Sequence, residues 1–148
     1  MADEESKYFS LTEAERLRTK LEPILIEAME SRRKMSDVDD EIGALAEKIS
    51  RSGGLSVSYE RAAKRRLERN QLEQGIQSAL EQIIETGCVV KDLDVGLLDF
   101  PARIDDQDVY LCWKLGEDRI RFYPRQDEGF SGRKPIDPRD ADYRNPIQ

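Results

Sequence analysis

The sequence contains no histidine, and this absence limits the chemistry that the chain can support. Histidine is the commonest general base, the commonest metal ligand among side chains and the usual partner of a serine or cysteine nucleophile. A Ser-His-Asp or Cys-His catalytic site therefore cannot be built within these residues. We find no motif that specifies a reaction, so the sequence leans towards a protein that is not an enzyme and predicts no cofactor.

Cysteine is also scarce, since only Cys88 and Cys112 are present. Two cysteines are too few for a disulfide framework, which favours a reducing compartment. No apolar run approaches the roughly 18 residues that a membrane span needs. Residues 1–7 are acidic and lack the apolar segment of a secretion signal. These absences predict a cytoplasmic protein with no membrane partner.

Positive charge is in deficit, and the formal net charge is −7. An acidic chain is repelled by phosphate backbones, so we expect no nucleic-acid partner. Charged residues make up 37% and hydrophobic residues 38% of the chain. This balance is rich in charge for a globular domain but normal for a long helical hairpin exposed to water.

Apolar residues recur every three or four positions in the first third of the chain. A repeat of about 3.5 residues keeps one seam on one side of a helix, and another helix must cover it. The seam positions are Leu17, Leu21, Ile24, Ala28, Ser31, Met35, Val38, Ile42, Leu45 and Ile49. The pattern therefore predicts a long first helix that pairs with a second one.

The start of the first helix is marked by a capping box, in which Ser10 and Glu13 satisfy each other's backbone amides. Phe9 precedes the cap, where it can pack against the first turn. Pro23 interrupts the backbone bonding of a helix interior. Because the seam continues in phase beyond it, we expect a kink near Pro23 rather than a loop.

The second helix is predicted from Tyr59 to about Thr86, with Ser58 as its N-cap and Gly87 as its stop. Gly53-Gly54 ends the first helix, and the short linker makes the two helices antiparallel neighbours. The predicted apolar stripe of the second helix comprises Leu72, Ile76, Ala79, Leu80, Ile83 and Ile84, with Ala62, Ala63 and Leu67 nearer its start.

Two uses of the helical seam remain open: packing within one hairpin, or packing combined with dimerisation through a spare or opposite face. The first helix is longer than the second, so its N-terminal part packs either on the C-terminal lobe or on another chain. A basic cluster lies early in the second helix, at Arg61, Lys64, Arg65, Arg66 and Arg69. Interleaved glutamates favour a face exposed to water over a site for an anionic partner.

After Gly87 the apolar period changes from that of a helix to that of a strand. The alternation predicts a short strand at 88–91 and longer ones at 97–104 and 108–115, with a further short strand at 120–123. Pro101 places its strand at a sheet edge or at a bulge. The predicted fold is α+β: a coiled-coil helical hairpin over 1–87, an antiparallel meander of three to four strands with a glycine loop over 88–136, and a polar tail over 137–148.

The polar side of the meander and the glycine loop hold the candidate ligand-binding residues. These are Asp99, Arg103, Trp113, Lys114, Glu117, Arg121, Asp127, Glu128 and Arg133. Salt bridges on a solvated face are the favoured explanation of the pattern, and a shallow anion or peptide site built from Arg103, Lys114 and Arg121 is the alternative. The carboxylates could hold Mg²⁺ or Ca²⁺, but no ligand spacing supports this, so we predict no metal site. Neighbouring cations could also make Cys112 reactive.

Four segments resemble one bacterial family, the domain of unknown function numbered twenty-two hundred and three. They are Tyr8–Ala14, Gly96–Ala102, Leu111–Glu117 and Gly129–Ile136. The resemblance implies the same overall layout and no established activity, and some relatives carry cell-division-like labels. An aromatic residue followed by histidine often stands in the family where this chain has Tyr123-Pro124. No metal or acid-base role of that histidine carries over to this chain.

These observations lead to two hypotheses of function. The first is a non-enzymatic cytosolic interaction or assembly protein built on the coiled-coil hairpin, homodimeric through its helices, with room for another protein partner. The alternative is a small-ligand- or metal-binding protein, or an enzyme, with its site on the C-terminal sheet and glycine loop.

Overall fold

The computed structural model describes residues 8–52, 56–120, 122–123 and 134–135. Two helices are followed by one antiparallel sheet whose strands lie side by side in chain order. The elements are α1 (Leu11–Ser52), α2 (Ser56–Glu85), β1 (Val89–Asp92), β2 (Leu97–Ile104), β3 (Gln107–Lys114), β4 (Phe122–Tyr123) and β5 (Lys134–Pro135). The predicted α+β fold is confirmed, and the fifth strand, two residues long, adds to the predicted meander. The predicted polar tail lies outside the described residues.

The capping box at the start of α1 is confirmed. The Ser10 amide donates to Glu13 Oε1 at 2.9 Å, and the Glu13 amide donates to Ser10 Oγ at 3.1 Å. Phe9 is buried, and its ring meets that of Phe100 edge to face at a centroid distance of 5.7 Å. α1 then continues without a break through Pro23.

The chain divides by its contacts into two compact units. We call residues 27–79 the hairpin unit, and residues 1–26 together with 80–148 the sheet unit. Both helices run through both units. None of the helices that the structure describes has an apolar stretch long enough to cross a bilayer.

In the hairpin unit the predicted seam of α1 is sheltered at every position. Ala28, Val38 and Leu45 are buried, and the remaining seam positions of this unit are partly buried. Ion pairs fix the direction of α2: Arg65 contacts Glu41, whereas Arg69, farther along α2, contacts Asp39, which is earlier in α1. The two helices are therefore antiparallel here, as predicted.

The seam of α2 differs from the predicted stripe. Most of its sheltered positions follow a heptad spacing, at Ala62, Arg65, Arg69, Leu72, Ile76, Ala79 and Ile83, and Glu73 and Leu80 beside them are partly buried. Ala63, Leu67 and Ile84 were predicted in the stripe, but Ala63 is exposed, and Leu67 and Ile84 are 61% and 58% exposed. These three assignments are wrong because an apolar side chain adjacent to a heptad position need not face the same way.

The ends of α2 were predicted with mixed success. The helix begins at Ser56, so Ser58 lies inside it and is not its N-cap. Gly87 does end it, because it adopts a positive φ of 98° and its amide bonds to the Ile84 carbonyl at 2.9 Å. A positive φ after the last helical turn is the conformation for which glycine is preferred.

The sheet unit is centred on the hairpin of β2 and β3. Asp105 and Asp106 both have positive φ, as a two-residue turn between twisted strands requires, and Ile104 pairs with Gln107 beside them. One face of this hairpin is apolar and buried, at Leu98, Phe100, Ala102, Val109, Leu111 and Trp113. The predicted alternation of these two strands is confirmed.

β2 does not lie at the sheet edge, although Pro101 predicted either an edge or a bulge. β2 pairs with both β1 and β3, and the register shift lies in β1, between Val90 and Asp92. The β1 pairing reaches only as far as Asp99. The Pro101 carbonyl instead accepts a hydrogen bond from the Phe9 amide at 2.7 Å. The proline is therefore tolerated because β1 does not extend alongside it.

Candidate functional site

The centre of the polar face of the sheet is buried. Asp99 pairs in register with Val89 on one side and Cys112 on the other, so these three side chains lie on the same face. Asp99 is 4% and Cys112 2% exposed. Sequence alternation predicted this face as either solvated or a shallow site, but at these two positions it is covered.

Cys88 lies close to this buried carboxylate. Burial, and next the nearby charge of Asp99, raise the pKa of the Cys88 thiol far above its ordinary value. Both cysteines are free and buried. A buried neutral thiol packs as a small apolar group and is a poor nucleophile.

Arg103 belongs to a three-residue cluster at the turn end of β2 and β3. Its Nε donates to Asp108 Oδ1 at 2.9 Å, and its Nη2 donates to the Tyr8 hydroxyl at 2.6 Å. The Tyr8 hydroxyl donates to the same Asp108 oxygen at 3.0 Å, and the guanidinium lies 4.4 Å from the Tyr8 ring centroid. The cluster raises the pKa of Arg103, chiefly through its bond to Asp108. Arg103 therefore connects Tyr8, which precedes α1, to the sheet.

Trp113, Lys114 and Glu117 are brought together by the turn that follows β3. The Trp113 indole donates to the Glu117 carbonyl at 2.9 Å, and Glu117 Oε1 accepts from the Lys114 amide, also at 2.9 Å. Gly116 within the turn has a φ of 106°, which favours glycine. Trp113 is fully buried. The indole and the Glu117 carboxylate are thus both engaged in closing this turn.

Two residues of the first turns of α1 hold the same turn, and the sequence did not identify them. Arg18 lies 5.3 Å from the Trp113 ring centroid and donates to the Asp118 carbonyl at 3.2 Å. The Glu15 carboxylate accepts hydrogen bonds from Arg18 Nε, at 2.9 Å, and from the Ile120 amide. The spacing of Glu15 and Arg18 indicates an ion pair along a helix, but their contacts with residues a hundred positions away leave no local signal.

The other candidate residues give no further site in the described part of the chain. Arg121, Asp127, Glu128 and Arg133 lie outside the described residues. Among the residues that are described, no group of three histidine, cysteine, aspartate or glutamate side chains could hold a metal ion. The structure thus brings Trp113, Lys114 and Glu117 together and places Asp99 and Arg103 elsewhere.

A cleft of about 460 Å³ lies in the sheet unit, away from every predicted ligand-binding residue. It is lined by Phe9, Glu13, Arg16, Leu17, Lys20, Glu85, Thr86 and Gly87. Two carboxylates and two cations balance in charge, and the Glu13 carboxylate already caps α1. This lining does not select a particular class of ligand.

The hairpin unit presents a surface of another kind. Between residues 59 and 69 of α2, two large apolar side chains are exposed, whereas two arginines lie on the side that faces α1. Tyr59 is 57% and Leu67 61% exposed. Arg65 and Arg69 lie on the seam, and about a third of each side chain is exposed. Ala63 is exposed between the two apolar residues. We call Tyr59, Ala63 and Leu67 the outer stripe of α2.

The two seam arginines are held by acidic residues of both helices. Arg65 contacts Glu41 at 3.0 Å and Glu68 at 2.8 Å, and Arg69 contacts Asp39 at 2.6 Å and Glu73 at 3.1 Å. The adjacent carboxylates of Glu41 and Asp39 are the main causes that raise the pKa values of the Arg65 and Arg69 guanidinium groups. These two members of the basic cluster therefore face α1, whereas Arg61, Lys64 and Arg66 are exposed, as expected for a solvated face.

Comparison with known proteins identifies a family but no activity. No curated protein and no solved structure matches the chain. One family model, described as Uncharacterized conserved protein (DUF2203), matches residues 7–136. This match includes the segments that carried the resemblance in the sequence, so the chain belongs to the uncharacterized conserved protein family DUF2203.

Proposed function

We propose that this chain is a non-enzymatic interaction or assembly protein of the cytosol that acts as a homodimer through its hairpin unit. The observation that carries the proposal is the outer stripe of α2. Tyr59 and Leu67 are exposed on one face of α2, away from the side on which Arg65 and Arg69 contact α1. Exposed apolar side chains that are grouped in this way mark contact surfaces. On the seam, Arg65 and Arg69 form ion pairs with α1 beside the buried Ala62.

The contacts of the sheet unit support a structural role for its polar residues. Arg103 is hydrogen-bonded to Tyr8 and Asp108, and the Trp113 indole is hydrogen-bonded to the Glu117 carbonyl in the turn after β3. Side chains engaged in this way are poorly placed to bind a ligand without losing those bonds. The sheet unit then serves to secure the start of α1.

Placement in the cytosol is part of the same proposal. It is supported by the two free cysteines, both buried, since a reducing compartment preserves such thiols. The acidic net charge of −7 supports a protein partner over a nucleic acid.

Sedimentation equilibrium over a wide range of protein concentration tests the proposal. We expect a monomer that converts to a dimer as concentration rises, and the double variant Lys114→Ala with Arg121→Ala should assemble like the wild type. A monomer at every concentration would refute the proposed homodimer. Calorimetric titration with Mg²⁺, Ca²⁺ or inorganic phosphate tests the alternative: heat of binding that this double variant loses would favour a ligand site on the sheet.

A further inference from the structure

We infer that a second copy of this chain docks antiparallel on the outer stripe of α2, with the two-fold axis beside Ala63. The inference rests on the proposed function and specifies its interface. An α-helix turns by about 100° per residue, so residues four apart differ by only about 40° around the axis. Tyr59 and Leu67 therefore flank Ala63 on one face, whereas the seam positions Arg65 and Arg69 lie on the opposite side.

The stripe is complementary to itself when two copies run antiparallel. Tyr59 and Leu67 are each four residues from Ala63, so each Tyr59 lies level with Leu67 of the partner subunit. The aromatic ring and the branched aliphatic side chain then cover each other, which is a favourable pairing. Ala63 lies at the axis, where a small side chain lets the two helices approach closely. A two-fold axis makes both halves of this contact identical.

The charges beside the stripe match the same arrangement. Glu60 and Lys64 lie on one flank of the stripe, at about 60° and 100° from the direction of Ala63. Across the antiparallel axis, Glu60 lies within about 3 Å of Lys64 of the partner subunit along the helix direction, at 1.5 Å of rise per residue. Opposite charges therefore meet twice at the rim, as at the flanking positions of paired helices.

The size of the stripe sets the strength that we expect. Three side chains on each copy make a contact smaller than that of standard specific interfaces, as in weak and transient complexes. Such a dimer should form reversibly, with a dissociation constant on the order of micromolar or weaker. The flanking charges then contribute more to the register and the direction of pairing than to its affinity.

A charge-exchange experiment on the full chain tests the inference. Glu60→Lys and Lys64→Glu each place like charges at both rim contacts, and each should weaken self-association about tenfold. Mixing the two variants restores opposite charges at both contacts, so the mixed dimer should form at the wild-type concentration. Loss of an ion pair within one helix would not be restored by mixing, which separates the interface from a local effect.

Two further measurements use matched controls. Leu67→Glu should abolish the dimer, whereas Ile84→Glu, at a comparably exposed apolar position of α2 outside the stripe, should not. Ala63→Cys should form a disulfide-linked dimer under mild oxidation, whereas Ala46→Cys, an exposed position on α1, should not. The native cysteines are buried and should not contribute.

The outcomes separate this inference from the proposed function. A dimer that persists in Leu67→Glu, with no restoration on mixing the charge variants, would overturn the docking surface and leave a homodimeric interaction protein standing. A monomer at every concentration in the wild type would overturn both. Restoration on mixing, together with crosslinking at residue 63 alone, would establish the antiparallel pair.

Discussion

Replacing Phe9 by alanine should destabilise the sheet unit severely. The Phe9 ring is almost completely buried and meets Phe100 edge to face, so the variant loses both its burial and an aromatic contact. Phenylalanine-to-alanine changes in cores cost about 3–5 kcal/mol. Phe9 precedes the helix, where the chain can partly close the cavity, and its amide keeps the bond to Pro101. We therefore expect the free energy of unfolding to fall by an amount at the low end of this range, about 3 kcal/mol.

Urea unfolding measures this loss, with the single tryptophan as the probe of the sheet unit. Trp113 is buried in that unit, and far-ultraviolet circular dichroism reports the helices separately. With a slope of about 2 kcal/mol per molar urea, the midpoint should fall by about 1.5 M. Ile84→Ala is the matched control, because this exposed apolar side chain of the sheet unit lies outside the outer stripe and its loss should change stability by less than about 0.5 kcal/mol. A Phe9 effect as small as that of Ile84 would refute the proposed role of Phe9 in joining α1 to the sheet.

Three further predictions concern single side chains. Ser10→Ala removes half of the capping box and should lower stability by about 1 kcal/mol in the same unfolding assay; no change would mean that the cap is dispensable. Arg103 holds the pKa of Asp108 below its ordinary 3.8, so the carboxylate stabilises the fold above that range and loses its effect as pH falls through the lowered pKa. Asp108→Asn should therefore lower the melting temperature at neutral pH, with a difference that shrinks on acidification; a constant difference would contradict the linkage. Cys88 and Cys112 should resist a thiol reagent in the native state and react fully in denaturant. Fast labelling of Cys112 in the native state would support the reactivity that the sequence left open.

The secondary structure could be predicted well because it depends on local patterns. The capping box at Ser10, the stop at Gly87 and the alternation of β2 each reflect forces that act within a few residues. The start of α2 was missed because the preference of serine for N-cap positions favoured Ser58, which lies inside the helix. Pro101 was tolerated for a reason that the sequence cannot show, namely how far β1 extends along β2.

The facing of individual side chains was harder to predict, for a physical reason that also bears on the proposed interface. A repeat of apolar residues identifies a seam only when the seam is apolar, and in α2 the seam includes Arg65 and Arg69. Their partners Glu41 and Asp39 come from the other helix, so neither helix alone shows that the pairs form. Arg65 and Arg69 hold two seam positions, and Leu67 between them faces away from the seam and lies on the outer stripe. Ion pairs at the seam stabilise a hairpin less than apolar packing would. In α2 these ion pairs lie on one face of the helix, and the exposed Tyr59 and Leu67 lie on another. A second copy of the chain would cover that second face.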